Sequence, residues 1–283
     1  AMFRSGSRGE LPIITWITPS DEQNLRLKSA SALCQGAKHF FYWTYGPTAT
    51  STEVLLGNYY GFNDQMVTLL EGITGRLPEG MGMEYHAGAM LKHQREIKDT
   101  WAPMMALSAD YAIVCAGNSS FLEGEEGESL LSPQNGDRAD ITLPQSQIDY
   151  IKELSIHGAR IILVLTGGSA LAIPEEHDLA DAVVYAWYPG CEGGRAVADV
   201  LFGDVSPSGK LPVTVPRRTA DLPPFNDYRM RGRTYRFAEI EPLYPFGFGL
   251  GYGRLRYERL EVGAATLRAG ETLRLSTVIA NDS

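Results

Sequence analysis

Short, unbroken apolar runs alternate along the chain with stretches in which apolar residues recur every three or four positions. The runs His39 to Tyr45, Met83 to His86, Tyr111 to Ala116, Ile161 to Thr166 and Ala182 to Trp187 each predict a strand. Continuous apolar character, rather than alternation, marks strands buried on both faces. Between them, Asp64 to Gly75 carries Met66, Val67, Leu69, Leu70 and Ile73 at helical spacing, and Met90 to Leu107 continues the pattern. Gln145 to His157 repeats it with Ile148, Ile151 and Leu154 ahead of Gly158, and Glu192 to Phe202 closes at Gly203. Strands that alternate with helices predict an α/β fold: a predominantly parallel sheet with helices on both faces.

The texture changes after Asp204. Pro207, Gly209, Pro212, Pro216, Pro223 and Pro224 break up the segment and predict an extended arm that wraps the domain. From Tyr257 alternation returns in Leu260 to Val262 and again in Leu273 to Ile279, with a turn at Gly270. This reads as the first hairpin of a truncated β-sandwich, with open strand edges that favour association.

Composition narrows the function classes. The 283 residues carry a net charge of −9 and a pI near 5.1, which argues against nucleic acid as a partner, since that binding draws its affinity from clustered Lys and Arg. The one locally basic stretch, Arg217, Arg218, Arg229, Arg231, Arg233 and Arg236, is diluted by Asp221, Asp227, Glu239 and Glu241 and reads as a solvated face. Cys34, Cys115 and Cys191 are odd in number and far apart, and the five histidines lack metal-ligand spacing, so neither a disulfide framework nor a metal site is expected. Cys115, inside an apolar run, reads as a small buried hydrophobe. No apolar run is long enough to span a membrane, and the start of the chain lacks a signal-peptide pattern. The compartment stays open.

The sharpest local chemistry is Phe121-Leu-Glu-Gly-Glu-Glu-Gly-Glu-Ser129, which packs Glu123, Glu125, Glu126 and Glu128 directly after a predicted strand. Ligands collect at the carboxyl ends of strands in open α/β sheets, and crowded carboxylates raise at least one pKa, as a general acid requires. The alternative is a solvated acidic loop. Thr166-Gly-Gly-Ser169 also follows a strand and can cradle an anion with backbone N–H groups, which keeps a phosphate- or nucleotide-binding reading open. Pro189-Gly-Cys-Glu-Gly-Gly194 predicts tight turns where a helix meets the sheet. Trp187 and Tyr188, with Phe225, Tyr228 and Tyr235, offer faces on which a sugar can stack, although core packing suits Trp187 better.

The segment Asp137-Arg-Ala-Asp-Ile-Thr-Leu-Pro144 with Gln147 resembles the second domain of family 3 glycoside hydrolases, the β-glucosidases and β-xylosidases. Ala186 to Gly194, Ala198-Asp-Val-Leu-Phe-Gly-Asp204, Pro207-Ser-Gly-Lys-Leu-Pro212 and Tyr244-Pro-Phe-Gly-Phe-Gly-Leu250 follow in that family's order and spacing, and Thr52 to Gly61 and Leu69 to Ile73 match its early part. The resemblance implies an α/β sandwich domain over residues 47–256. Residues 257–283 would then open a truncated fibronectin-type domain, and residues 1–46 form an unmatched segment that meets the rest near Gly46, supplying one strand.

By the same resemblance a glutamate of the acidic loop protonates the departing glycosidic oxygen. Glu125 fits that role best, with Glu126 and Glu128 as alternatives. Independently of the resemblance, Asp137 and Arg138 can bind sugar, but a buried ion pair that anchors the acidic loop to the following helix and supports the site suits them better. The nucleophile belongs to a barrel domain that this sequence lacks, so the chain alone is expected to be inactive. A β-linked oligosaccharide or aryl glycoside is the expected substrate, a barrel domain or self-association the expected protein contact, and no cofactor is implied. The implied parent is periplasmic or secreted. A non-catalytic carbohydrate-binding or structural module is the competing reading.

Overall fold

A computed structural model of the chain describes residues 14–17, 39–42, 48–57, 63–79, 81–86, 88, 103–104, 106, 109–124, 132 and 136–282. Strands β1 (Ile14–Ile17) and β2 (His39–Tyr42) pair in parallel, Ile14 opposite His39. Helices α1 (Glu53–Leu56) and α2 (Leu69–Gly75) follow. The body is built on β3 (Ala112–Gly117), β4 (Ile161–Thr166) and β5 (Ala182–Trp187). These form one three-stranded parallel sheet in the order β3-β4-β5. Around it lie α3 (Ser120–Glu123), α4 (Gln145–Ile156), α5 (Pro174–Leu179) and α6 (Gly193–Leu201).

Strand β4, at the centre, shows why the continuous apolar run was needed. Ile161, Leu163 and Leu165 face one side with Ile151 and Leu154 of α4, while Val164 faces the other with Leu69 of α2 and Val197 of α6. All four of these β4 side chains are fully buried, and each contributes about 1.5–3 kcal/mol on leaving water. Helices therefore cover both faces, as the sequence predicts.

Glycine sets the spacing of the second layer. A Cβ on Gly194 would lie 1.9 Å from the Thr68 carbonyl oxygen, and one on Gly72 would lie 2.0 Å from the Gly194 carbonyl oxygen. Helices α2 and α6 thus touch backbone to backbone, and Gly194 N–H donates to the Val67 carbonyl at 3.0 Å. This is the physical content of the Gly-Cys-Glu-Gly-Gly turn.

The arm after Asp204 is irregular apart from a 3-10 turn at Thr219–Asp221 and the short helix α7 (Thr234–Phe237). It closes on itself through an antiparallel bridge between Val215 and Tyr244, and Val215, Leu243 and Tyr244 join the core on the α4 side. Three arginines of the arm are paired locally, Arg218 with Asp221, Arg229 with Asp227 and Arg231 with Glu239. Finally β6 (Leu255–Val262) and β7 (Leu275–Asn281) form an antiparallel hairpin whose residues are almost all exposed.

Two expectations change. Met83 to His86 is not a strand: it has no ladder partner among the described residues, and Met83 is exposed. One methionine and one tyrosine without β-branched neighbours do not hold an edge by themselves. The helix expected from Asp64 begins only at Leu69, because Thr68 and Glu71 form a reciprocal capping box that fixes the start there. Most of the helix expected over Met90 to Leu107, and Gly46, lie outside the described residues.

Candidate functional site at the carboxyl end of the sheet

Three loops converge where β3, β4 and β5 end, and one carboxylate ties them together. Glu123, the last residue of α3, accepts from the Gly168 N–H at 2.6 Å and the Tyr188 hydroxyl at 2.7 Å through Oε2. Its Oε1 accepts from the Ser169 hydroxyl at 2.6 Å, Arg138 Nη1 at 2.7 Å and Asn118 Nδ2 at 3.2 Å. The ion pair is sheltered, with 14% of the Arg138 side chain and 8% of the Glu123 side chain exposed. Burial by itself raises the Glu123 carboxyl, but the hydrogen bonds from Ser169, Gly168 and Tyr188 and the Arg138 guanidinium outweigh it and hold the group below its ordinary value.

Arg138 does more than pair with Glu123. Its Nε and Nη2 donate to the Asp140 carbonyl at 3.0 and 2.8 Å, and Nη2 also reaches the Thr142 carbonyl at 3.3 Å. Asp137, expected as its partner, is exposed, so the carboxylate opposite Arg138 comes from fifteen positions earlier in the chain. Asp140 in turn accepts from the Thr219 hydroxyl at 2.5 Å and the Thr142 N–H at 3.0 Å, bonds that lower its pKa and pin the arm to this end of the sheet.

The strand ends are locked from beneath. Gln147, buried in α4, receives the Gly117 N–H at 2.8 Å and returns its amide to the Gly117 carbonyl at 2.9 Å. Gly117 itself has φ of +134° and its Cβ position lies 1.9 Å from the Thr166 carbonyl oxygen, so no other residue fits there. Trp187 ends β5 at φ +57°, a strained setting for an aromatic residue, and its ring tilts against Tyr185 at 4.5 Å. The next residue, Tyr188, threads between two glycines: a Cβ at Gly57 would come within 2.5 Å of its ring, and one at Gly168 within 2.8 Å. Burial, then the charge of Glu123, push the Tyr188 phenol up, which keeps it a donor.

Glu125, Glu126 and Glu128 lie outside the described residues, in the segment that follows Glu123 and precedes Arg138. Thr166-Gly-Gly-Ser169 does cradle an anion, but that anion is the carboxylate of Glu123. Cys115 is half-buried, and desolvation pushes its thiol up to about 12. Phe225 and Tyr228 on the arm are 87% and 86% exposed, and Tyr235 stacks on Phe246 at 4.3 Å. Among the described residues no group of three or more His, Cys, Asp or Glu side chains is placed to hold a metal ion.

Sequence reading named Glu123 among four acids without separating it from the others, and it missed Ser169 and Tyr188 as its partners. The available signal was the pairing of a Gly-Gly-Ser turn after one strand with a tyrosine just after the next.

Residues 39–252 match the model of the glycosyl hydrolase family 3 C-terminal domain, beginning at the first residue of β2. A xylan 1,4-β-xylosidase of Xylanibacter ruminicola is 46% identical over 155 residues, 54% of this chain and 18% of the relative. A periplasmic β-glucosidase of Salmonella typhimurium is 32% identical over 263 residues, 83% of this chain and 34% of the relative. Among solved structures, a β-glucosidase of Erythrobacter marinus superposes with a TM-score of 0.67 at 28% identity, covering 82% of this chain and 34% of that one. A family 3 exo-β-xylosidase in complex with a xylobiose aziridine probe gives 0.65 at 28% identity, over 76% and 28% of the two chains. The chain thus spans about a third or less of the length of these proteins. Its parallel sheet with helices on both faces is the α/β sandwich of these enzymes, and the chain belongs to glycoside hydrolase family 3 through its C-terminal domain.

Proposed function

We propose that this chain supplies the general acid/base to a retaining β-glycosidase that releases terminal β-linked glucose or xylose units, the nucleophile coming from a barrel domain. The observation that carries this reading is the Glu123–Arg138 ion pair at the carboxyl end of the sheet. It joins the two ends of a segment that contains three further glutamates, where an α/β sheet presents its ligands. The named relatives, a β-xylosidase and a β-glucosidase, support the substrate class.

In this reading Glu125 is the acid, with Glu126 and Glu128 as the alternatives. Its proton passes to the glycosidic oxygen as the bond from that oxygen to the anomeric carbon breaks. The barrel carboxylate, about 5–5.5 Å from the acid, takes the sugar as a glycosyl ester. The same glutamate, now ionised, then takes a proton from water as water displaces the enzyme carboxylate. Asp137 is exposed beside Arg138 and serves the rim of the segment, while Arg138 holds its base.

The test is release of nitrophenol from aryl β-glucosides and β-xylosides by the folded chain, alone and mixed with a separately produced family 3 barrel domain. Turnover is expected only in the mixture and should fall about 100-fold or more in Glu125→Gln. Equal loss in Glu126→Gln or Glu128→Gln alone would move the role to that residue. Turnover by the chain alone would overturn the shared site. The exposed Phe225 and Tyr228 favour one other reading, a carbohydrate-binding module: saturable sugar binding with no turnover in any mixture would select it.

A further inference from the structure

We infer that Glu123 is a positioning residue, whose ion pair with Arg138 closes the base of the acidic segment and fixes it to the ends of all three strands of the sheet. The inference rests on the reading that this segment delivers the proton, and it concerns a residue that does not itself deliver it.

The geometry separates Glu123 from the other three glutamates. A carboxylate offers about four lone-pair directions. Five donors already point at Glu123, from Asn118 just after β3, Gly168 and Ser169 after β4, Tyr188 after β5, and Arg138 beyond the segment. No direction is left for a glycosidic oxygen. A general acid must also carry its proton near neutrality, whereas every contact here favours the charged form. Glu123 has the wrong surroundings for the proton transfer and the right ones for an anchor.

The anchor is built rather than incidental. Tyr188 reaches Glu123 only because Gly57 and Gly168 leave room for its ring, and because the strained turn at Trp187 sends the chain that way. The donors lie 5, 15, 45, 46 and 65 positions from Glu123, so the carboxylate is the common point of otherwise separate loops.

The experiment has two arms on the full chain. In the first, hydrogen exchange followed by mass spectrometry compares peptides spanning 124–137 and 161–166 in wild type, Glu123→Gln, Ser169→Ala and Tyr188→Phe. At labelling times short enough that 161–166 stays protected in wild type, Glu123→Gln should accelerate exchange in 124–137 by about tenfold or more while 161–166 stays protected, with smaller effects from the two partner variants. Unchanged exchange in 124–137 would overturn the inference. So would loss of protection in 161–166 at those times, which marks general loosening, and if Glu123→Gln does not fold, the two partner variants decide by the same criterion. In the second arm the chain is mixed with the barrel domain. Glu123→Gln should lower kcat by about 100-fold with KM within about twofold; an unchanged kcat, or a loss carried by KM alone, would overturn the inference. Absence of turnover in every mixture, with the exchange result intact, would sink the glycosidase reading and leave the anchor standing.

Discussion

Glu123 and Glu176 are both buried, yet their surroundings give them opposite electrostatics. Glu123 is ringed by donors and held below its ordinary pKa. Glu176, on α5, is raised by burial, which outweighs a backbone hydrogen bond that lowers it, while the like charge of Glu175 adds to the rise and Lys152 opposes it. A depressed carboxyl stabilises the fold above its unfolded value and loses that contribution as pH falls through the folded one; a raised carboxyl stabilises below the unfolded value and loses that as pH rises through the folded one. Glu123→Gln should therefore cost about 3 kcal/mol at pH 7, the low end for a broken buried pair because Arg138 keeps the carbonyls of Asp140 and Thr142. That cost should shrink as pH falls through the carboxylate range. Glu176→Gln should raise stability at pH 7, and its gain should fade toward about pH 4. Urea midpoints of both variants at pH 7, 5.5 and 4 check this; parallel pH dependences would contradict it.

The packing of α2 against α6 turns on single hydrogen atoms. Gly72→Ala would drive a methyl group into the Gly194 backbone, which cannot swing aside, and should cost about 3 kcal/mol. Gly75→Ala, in the same helix with nothing within 4 Å of its Cβ position, should be neutral or stabilise by up to about 1 kcal/mol. Thermal melts of the pair provide the comparison. Gln147→Leu should cost about 3 kcal/mol by leaving both backbone groups of Gly117 unpaired, again by urea unfolding.

Legibility in the sequence follows the same physics. Strands β4 and β5 match their predicted runs residue for residue, since strands covered on both faces must be apolar throughout. The start of α2 was misplaced because the Thr68–Glu71 cap overrides apolar spacing that continues upstream. At the site, the acidic segment and Arg138 stood out locally. The special status of Glu123 did not, because its partners Ser169 and Tyr188 lie 46 and 65 positions away and only the fold brings them near.

At the scale of the whole molecule, the hairpin and the body have different dependence on burial. The body has a continuous core on the α4 side, into which the arm inserts Val215, Leu243 and Tyr244. The hairpin exposes Leu255, Tyr257, Leu260, Val262, Leu275, Val278 and Ile279. Two strands alone are marginal in water. A chain ending at Arg256 should thus keep the circular dichroism of the body and its unfolding midpoint within about 2 °C, while sedimentation should show less self-association than in the 283-residue chain. A large drop in the midpoint would mean that the hairpin belongs to the body. The Glu123–Arg138 bridge bears on how such a protein can change over generations. Its two residues share one network with Ser169 and Tyr188, and Tyr188 fits only beside Gly57 and Gly168, so these positions can change only together: a substitution at any one of them has to be answered at the others.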